Sequence, residues 1–265
     1  MTSTNIAPTE ASTHAAPTEK ELREELALVY RLVDYYGMTD LIFNHISLMI
    51  PAEDSNEKTF LINPYGFLFD EITASSLVKI DINGKPVEAT DYEVNPAGFV
   101  IHAAVHKARS DAKCVLHTHT RAGMAVSALK VGLLWLNQMS LSFYQRVGYH
   151  DYQGVALDLA EQDSLQRDIG LYNALILRNH GLLTVGETAT DALLAMIRLD
   201  KACQLQLDAM AAGELIQPPV EILERTGNQL NGRFDDNDLP DKDVLALFRD
   251  AMFRLGERKF PDYKN

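Results

Sequence analysis

Apolar residues near the start of the chain recur at the spacing of one helical face. Leucines and valines fall on every third or fourth position between residues 22 and 33, a period that predicts an amphipathic helix. Thr18 and Glu21 form a capping-box pattern ahead of this run, and Gly37 follows it. We therefore expect a helix that begins just after Thr18 and ends near Gly37.

The next apolar stretches are too short for helices and lie between turn-rich segments. Residues 44–50 and 59–62 are separated by the sequence PAEDSNEK, which is typical of two strands joined by a loop. Further along, Asn83 and Gly84 stand between alternating apolar positions. That arrangement predicts a hairpin turn.

Beyond residue 96, helical and strand patterns alternate. Helices near both ends of the chain, with strands between them, indicate an α/β fold in which helices cover a sheet. The aromatic-rich segment LSFYQRVGYHDYQG shows no clear period. The patterns predict helices at 97–109, 158–168, 189–212 and 244–255, and strands at 112–119 and 174–177.

Length and charge limit the possible organisation and partners. The chain has 265 residues, 46% of them hydrophobic, so we expect a single domain over residues 19–265. Residues 1–18 are rich in Ser, Thr, Ala and Pro and are predicted to be a disordered tail. The formal net charge is -13 and the basic residues do not cluster, which argues against nucleic-acid binding.

The cellular location is predicted from the cysteines and from the lack of targeting patterns. There are two cysteines, and Cys114 lies in an apolar run that is typical of a buried strand. That usage favours a reducing cytoplasm. The N-terminus has no basic segment followed by an apolar one, and no apolar run reaches about 18 residues. We expect a cytoplasmic protein without a membrane span.

Histidines follow two of the predicted strands. In a strand, residues two apart point to the same face, so His117 and His119 of LHTHT can reach one ion while Thr118 points away. His180 follows the second strand, and Gly181 next to it permits a tight turn. Three histidines with open coordination positions are typical of a catalytic metal site, because structural zinc sites normally have four protein ligands.

Four separated segments, NHIS, INPYG, IHAAVHKARSDAKCVLHTHT and LRNHGLLTVGE, resemble the class II aldolase and adducin family over residues 19–210. The resemblance implies a three-layer α/β/α fold with a central mixed or antiparallel sheet, usually assembled as a homotetramer. It implies zinc as the metal, with Fe(II) as the other candidate, held by His117, His119 and His180. Asn44 corresponds to the asparagine of a substrate-binding loop.

The sequence departs from the sugar-phosphate aldolases of this family. Those enzymes carry a glutamate, which ligates the resting metal and moves protons, four residues before the histidine that corresponds to His102. Here that residue is Gly98. Pro96 and Ala97 replace phosphate-binding serines, and Tyr65 replaces another in the substrate loop. We therefore expect a small carbonyl-bearing anion, such as a keto acid or hydroxyaryl carboxylate, rather than a sugar phosphate.

Other polar residues are candidates for catalysis or binding. Tyr144 and His150 lie in the aromatic-rich segment and are candidate acid/base groups, although the segment is also typical of a surface or interface loop. Arg178 could fix a substrate carboxylate or pair with an acidic neighbour.

Three further histidines lie in the segments that carry the resemblance. His102 and His106 are four residues apart on a predicted helix. We assign His102 to support of the metal ligands and give His106 and His45 no role.

Three functions are compatible with these residues. The leading hypothesis is a metal-dependent lyase that cleaves a carbon–carbon bond or removes carboxylate, with the metal as Lewis acid and Asn44 holding the developing oxyanion. The second is a non-haem iron oxygenase on the same scaffold. The third is a non-catalytic, adducin-like interaction protein.

Overall fold

The computed structural model describes residues 16–51, 58–155, 159–231 and 244–265, and most of the tail predicted at 1–18 lies outside them. The helices are α1 (Glu19–Tyr35), α2 (Pro96–Ala108), α3 (Arg121–Ser127), α4 (Gln138–Leu141), α5 (Glu161–Ile169), α6 (Ala189–Ala212), α7 (Val220–Leu230) and α8 (Val244–Lys259), with a short 3-10 turn at Phe69–Glu71. The strands are β1 (His45–Ile50), β2 (Thr59–Ile62), β3 (Val78–Asp81), β4 (Cys114–Thr118), β5 (Val147–His150), β6 (Ala174–Leu177) and β7 (Gly181–Gly186).

The seven strands form one mixed sheet in the order β3-β2-β1-β4-β7-β6-β5. The pairing of β5 with β6 is parallel, and the other pairings are antiparallel. Helices α2 and α5 cover one face, where Val115 of β4 and Leu183 of β7 belong to the same core cluster as Ile101 and Leu165. The predicted α/β fold is therefore confirmed.

The second face carries the larger core. Its cluster includes Leu116 of β4 and Leu182 of β7, packed with Leu26 of α1 and Met196 of α6. Side chains alternate along each strand between this cluster and the one under α2 and α5. The alternation explains why β4 is buried on both faces and why its apolar run is continuous.

Tyr30 of α1 holds the start of β1 in place. Its hydroxyl oxygen accepts hydrogen bonds from the backbone N–H groups of Ile46, at 2.9 Å, and of Asn63, at 3.0 Å. The hydroxyl also donates to the carbonyl oxygen of Ile46. The ring is fully buried. Because Ile46 directly follows His45, this contact fixes the point where β1 enters the sheet.

The structure departs from the sequence predictions at several elements. The helix predicted at 158–168 is Glu161–Ile169. Strands β5 and β7 and helices α3, α4 and α7 were not predicted. The hairpin turn after β3 forms, with Gly84 at φ 80°. The turn before β7 uses Asn179, at φ 55°, in the left-handed region, rather than Gly181.

No helix in the described ranges combines the length and the apolar character needed to cross a bilayer.

Candidate metal centre

Three histidine side chains meet at the edge of the sheet where β4 ends and β7 begins. His117 lies near the end of β4, His119 follows the strand, and His180 directly precedes β7. Ligand nitrogens of the three rings lie within 4.8 Å of one another. The Nε2 of His119 is 2.8 Å from the Nε2 of His117 and 3.0 Å from that of His180. The antiparallel pairing of β4 with β7 brings these chain-distant rings together.

Hydrogen bonds determine which nitrogen is protonated in two of these rings. The Nδ1 of His117 lies 2.9 Å from the carbonyl oxygen of Leu182, and a carbonyl oxygen only accepts, so Nδ1 carries the proton. The Nδ1 of His119 lies 3.0 Å from Oδ2 of Asp40 and donates to that carboxylate in the same way. The Nε2 atoms of both rings are therefore bare, and they face each other.

Two bare nitrogens cannot form a hydrogen bond, so their approach favours a shared cation. Neutral imidazole nitrogens are common zinc ligands, and a donation from the other ring nitrogen to a carboxylate or carbonyl is the usual support of such ligands. The donor set of His117, His119 and His180 fits a divalent transition metal, and three protein ligands leave coordination positions open.

Burial keeps the rings of His117 and His180 in the neutral form that binds metal. His117 is fully buried, and burial lowers its pKa well below the ordinary value. Burial, together with the neighbouring His119 and His150, lowers the pKa of His180 to about 4. At neutral pH no proton has to leave either ring for a metal to bind.

Asn44 and Asp40 support His119 from the segment that precedes β1. The Oδ1 of Asn44 accepts the backbone N–H of Asp40, whose carboxylate receives the Nδ1–H of His119. Asn44 is fully buried, and within the described residues its Nδ2 has no hydrogen-bond partner. A buried amide donor without an acceptor is costly. Asn44 thus positions Asp40, and both N–H donors of its Nδ2 lack an acceptor among the described residues.

Gly181 lets β7 approach the end of β4 closely. A β-carbon at this position would lie 2.4 Å from the carbonyl oxygen of Thr118 and 3.1 Å from Cδ2 of His119. Any side chain here would push the histidine rings apart. The glycine is needed for close approach of the two strands, and not for the turn itself.

His150 lies beside the cluster, but both of its ring nitrogens have carboxylate partners. Its Nδ1 is 2.8 Å from Oδ2 of Asp168, and its Nε2 is 3.2 Å from Oε1 of Glu161. A small cavity is lined by His150 and His180, with Arg178 also on its wall. His150 must exchange one carboxylate for a substrate atom before it can act as an acid or base.

Arg178 lies on the turn between β6 and β7. It donates to the carbonyl oxygen of Leu129 at 2.7 Å, and its guanidinium group lies 4.2 Å from the centre of the Tyr149 ring. It forms no ion pair with an acidic residue within the described ranges. Two partners were predicted for Arg178, an acidic residue and a substrate carboxylate. The first is absent from the described residues, and the second stays a prediction.

Tyr144 and Tyr65 have other neighbours. The Tyr144 ring packs 5.5 Å from the Trp135 ring, and its side chain lies against Gly227 of α7. Tyr65 is exposed in the turn after β2, where its backbone N–H donates to Glu93. None of these contacts is with the three histidines.

Comparison with known proteins gives the family. Residues 24–207 match the family model described as "Class II Aldolase and Adducin N-terminal domain", which is well over half of the chain. The chain belongs to the class II aldolase and adducin family. It is 48% identical over 233 residues to a Pseudomonas aeruginosa protein named "Putative aldolase class 2 protein", with 88% of each chain covered.

The same family includes adducins and solved aldolases. Alpha-adducin of Rattus norvegicus is 45% identical over 197 residues, which are 73% of this chain and 26% of adducin. An aldolase II superfamily protein from Pseudomonas syringae superposes with a TM-score of 0.85 at 44% identity, over 95% of this chain and 98% of that one. L-fuculose 1-phosphate aldolase from Glaciozyma antarctica gives 0.78 at 28% identity, over 98% and 97%.

One histidine beside this cluster, His45, was given no role from the sequence. His45 lies directly opposite His117 in the pairing of β1 with β4, and the ring centres are 5.1 Å apart. Its ring also lies against Gly98, the position that departs from the sugar-phosphate aldolases. The alternation of His45 and Ser47 in β1 could have indicated a shared face. Only the strand register shows that this face is also that of His117.

Proposed function

We propose that this protein is a metal-dependent lyase that acts on a small carbonyl-bearing anion, by carbon–carbon cleavage or decarboxylation. The observation that carries the proposal is the convergence of the bare Nε2 atoms of His117 and His119, 2.8 Å apart, with His180 beside them. Family membership supports it, since L-fuculose 1-phosphate aldolase is among the structural relatives. Zinc is the metal we expect.

The residues around the histidines support an anionic substrate. A bound divalent metal would act as a Lewis acid that polarises the substrate carbonyl. Three neutral imidazoles leave the charge of that ion uncompensated, which favours an anion. The unpartnered Nδ2 of Asn44 can donate to a developing oxyanion, and Arg178 can contact a carboxylate from the wall of the adjoining cavity. A sugar phosphate is not proposed, because Gly98 offers no carboxylate and the phosphate-binding serines of the sugar-phosphate aldolases are replaced here by Pro96, Ala97 and Tyr65.

Acid/base roles are proposed for two residues of the aromatic-rich segment. His150 borders the cavity beside His180, so the exchange of Glu161 for a substrate would make it a proton donor or acceptor. Tyr144 and Tyr65 can contribute only if a second copy of the chain or a movement brings them to the histidines. Homotetramers are usual in the family, and the exposed Leu41 and Phe43 beside Asn44 would suit such an interface.

The buried thiols of Cys114 and Cys203 suit a cytoplasmic location.

Metal content and turnover test this function together. Protein purified without added metal should contain about one equivalent of metal per chain, and His180→Ala should contain almost none. A screen of small keto and hydroxy acids should then find cleavage or decarboxylation that His117→Ala abolishes. Thr118→Ser is the matched control, since Thr118 contacts Met196 on the other face of the sheet. A metal-free wild type, or an activity unchanged by His117→Ala, would refute the proposal.

The similarity to alpha-adducin favours one other candidate, a non-catalytic interaction protein with a structural metal. In that case chelation should lower the melting temperature strongly, and no substrate should turn over.

The imidazole set also suits Fe(II). Oxygen consumption that depends on Fe(II) and on an aryl keto acid would identify an oxygenase instead of a lyase.

A further inference from the structure

A chain of hydrogen bonds runs from α2 through β1 to the edge of the histidine cluster. The Nδ1 of His106 lies 2.9 Å from the carbonyl oxygen of Ala112, and its Nε2 lies 2.7 Å from Oγ of Ser47. The same Oγ is 2.7 Å from Nδ1 of His102, whose Nε2 is 2.8 Å from Nδ1 of His45. These four side chains are buried, and the proposed lyase chemistry uses none of them.

The carbonyl at one end determines the direction of every bond in this chain. Ala112 can only accept, so Nδ1 of His106 carries the proton and its Nε2 is bare. Ser47 must therefore donate its single O–H to Nε2 of His106 and accept a hydrogen bond from the Nδ1–H of His102. The Nε2 of His102 is then bare, and it accepts a hydrogen bond from the Nδ1–H of His45. The Nε2 of His45 is left as a bare acceptor.

Burial lowers the pKa of His102 well below the ordinary value, and that of His106 to about 3, so both rings are neutral. The buried His45 ring donates from Nδ1 to His102. Its Nε2 faces no acceptor among the described residues, so a proton there would be a buried donor without a partner. Ser47 and the Ala112 carbonyl contribute no charge. The chain is thus a set of neutral hydrogen bonds with one permitted direction.

The bare nitrogen of His45 lies at the border of the candidate metal centre. The His45 ring packs against His117 at 5.1 Å, on the same face of the sheet. Its Nε2 would be 3.1 Å from a β-carbon on Gly98, and among the described residues it has no hydrogen-bond partner. It also lies outside the group of three rings whose nitrogens converge. It is therefore an acceptor without a partner beside the cluster and not a fourth member of that group.

We propose that His45 determines substrate specificity by presenting Nε2 as a fixed hydrogen-bond acceptor, which selects an anion that carries a hydroxyl group. An acceptor whose tautomer is held by hydrogen bonds pairs with a hydroxyl and is left unpaired by an analogue that lacks one. Ser47, His102 and His106 are positioning residues, because they act only by holding the tautomer of His45. The inference rests on the proposed metal site and narrows its substrate to a hydroxyl-bearing acid.

The tautomers can be measured without metal or substrate. In full-length protein labelled with nitrogen-15 at histidine, long-range proton–nitrogen correlation spectra should show a bare Nε2 on His45, His102 and His106. Ser47→Ala removes the link between the two helix histidines and should allow a protonated Nε2 on His45. Ser127→Ala is the matched control, since it deletes a buried hydroxyl that donates to Met124 outside the chain. A protonated Nε2 on His45 in the wild type would overturn the inference.

Selectivity can be measured with two probes that differ by one hydroxyl group. Titration calorimetry of the zinc-loaded protein with lactate and propionate gives a ratio of affinities. That ratio should fall about three- to tenfold in His45→Phe, the value of one hydrogen bond, and should fall in Ser47→Ala but not in Ser127→Ala. An equal ratio in wild type and both test variants would contradict the role of His45. Failure of the wild type to bind zinc would instead count against the proposed function, and the tautomer measurement would still judge the hydrogen-bond chain.

Discussion

The imidazole of His45 occupies the space into which a side chain at Gly98 would project. A β-carbon at position 98 would lie 2.8 Å from Cδ2 and 2.9 Å from Cγ of His45. The ring cannot retreat freely, because its Nδ1 is bonded to His102. The position of the His45 ring therefore requires glycine at position 98.

Gly98→Ala should destabilise the protein although it replaces glycine within a helix. In an unobstructed helix the change stabilises by about 0.8–1 kcal/mol. Here the contact with His45 should reverse the sign and cost about 1–3 kcal/mol, measured by urea unfolding. In a His45→Ala background the same substitution should become stabilising. An identical effect in both backgrounds would show that the two residues are not coupled.

Asp40→Asn should weaken metal binding while leaving the three ligands in place. The carboxylate of Asp40 receives the Nδ1–H of His119, and loss of such a partner typically costs about 10- to 100-fold in affinity. Competition with a chromophoric chelator measures the change. Asp34→Asn is the control, since Asp34 contacts Thr39 and not a histidine. Equal affinities of the two variants would contradict the role of Asp40.

Tyr30→Phe should cost about 2–4 kcal/mol of unfolding free energy, because two buried N–H groups, of Ile46 and Asn63, lose their acceptor. Tyr35→Phe, an exposed tyrosine on the same helix, should change stability by less than about 0.5 kcal/mol. Urea titration compares the two. A small effect of Tyr30→Phe would mean that water replaces the hydroxyl and that β1 is held by other contacts.

Stability of the metal-free protein should fall below about pH 6.5. Burial lowers the pKa of His106 in the folded protein to about 3, so between pH 6.5 and 3 the unfolded chain binds a proton that the folded protein does not bind. The free energy of unfolding is therefore highest above pH 6.5 and decreases as the pH falls toward 3. Between pH 7.5 and 5.5, His106 should account for about 1.4 kcal/mol of the loss. His106→Gln should therefore lose less stability over this interval, and parallel pH profiles would argue against a neutral His106.

The candidate ligands could be found from the sequence because their spacing is local. The period of two in a strand places His117 and His119 together, and His180 follows a second apolar strand, so the cluster needed only the assumption that two strand ends meet. The fold class was predictable for a similar reason, since helical and strand periods alternate along the chain.

Two strands escaped prediction because their environments are set by distant residues. β7 is buried on both faces and has no alternation of apolar and polar residues, with Thr184 as its one polar side chain, and periodicity cannot separate such a short segment from a helix. β5 pairs in parallel with β6 across an intervening helix, so nothing next to it in sequence marks its register.

By itself the sequence determined most of the helices and strands, the family resemblance and the three candidate ligands, because these depend on periodicity and on residue identity over short spans. Only the tertiary structure decided the neighbours of each ring. His45 meets Gly98 and His102 because the register of β1 against β4 and the packing of α2 bring together residues more than fifty positions apart. Proton positions depend on those contacts, so the structure was needed to identify which nitrogens are bare.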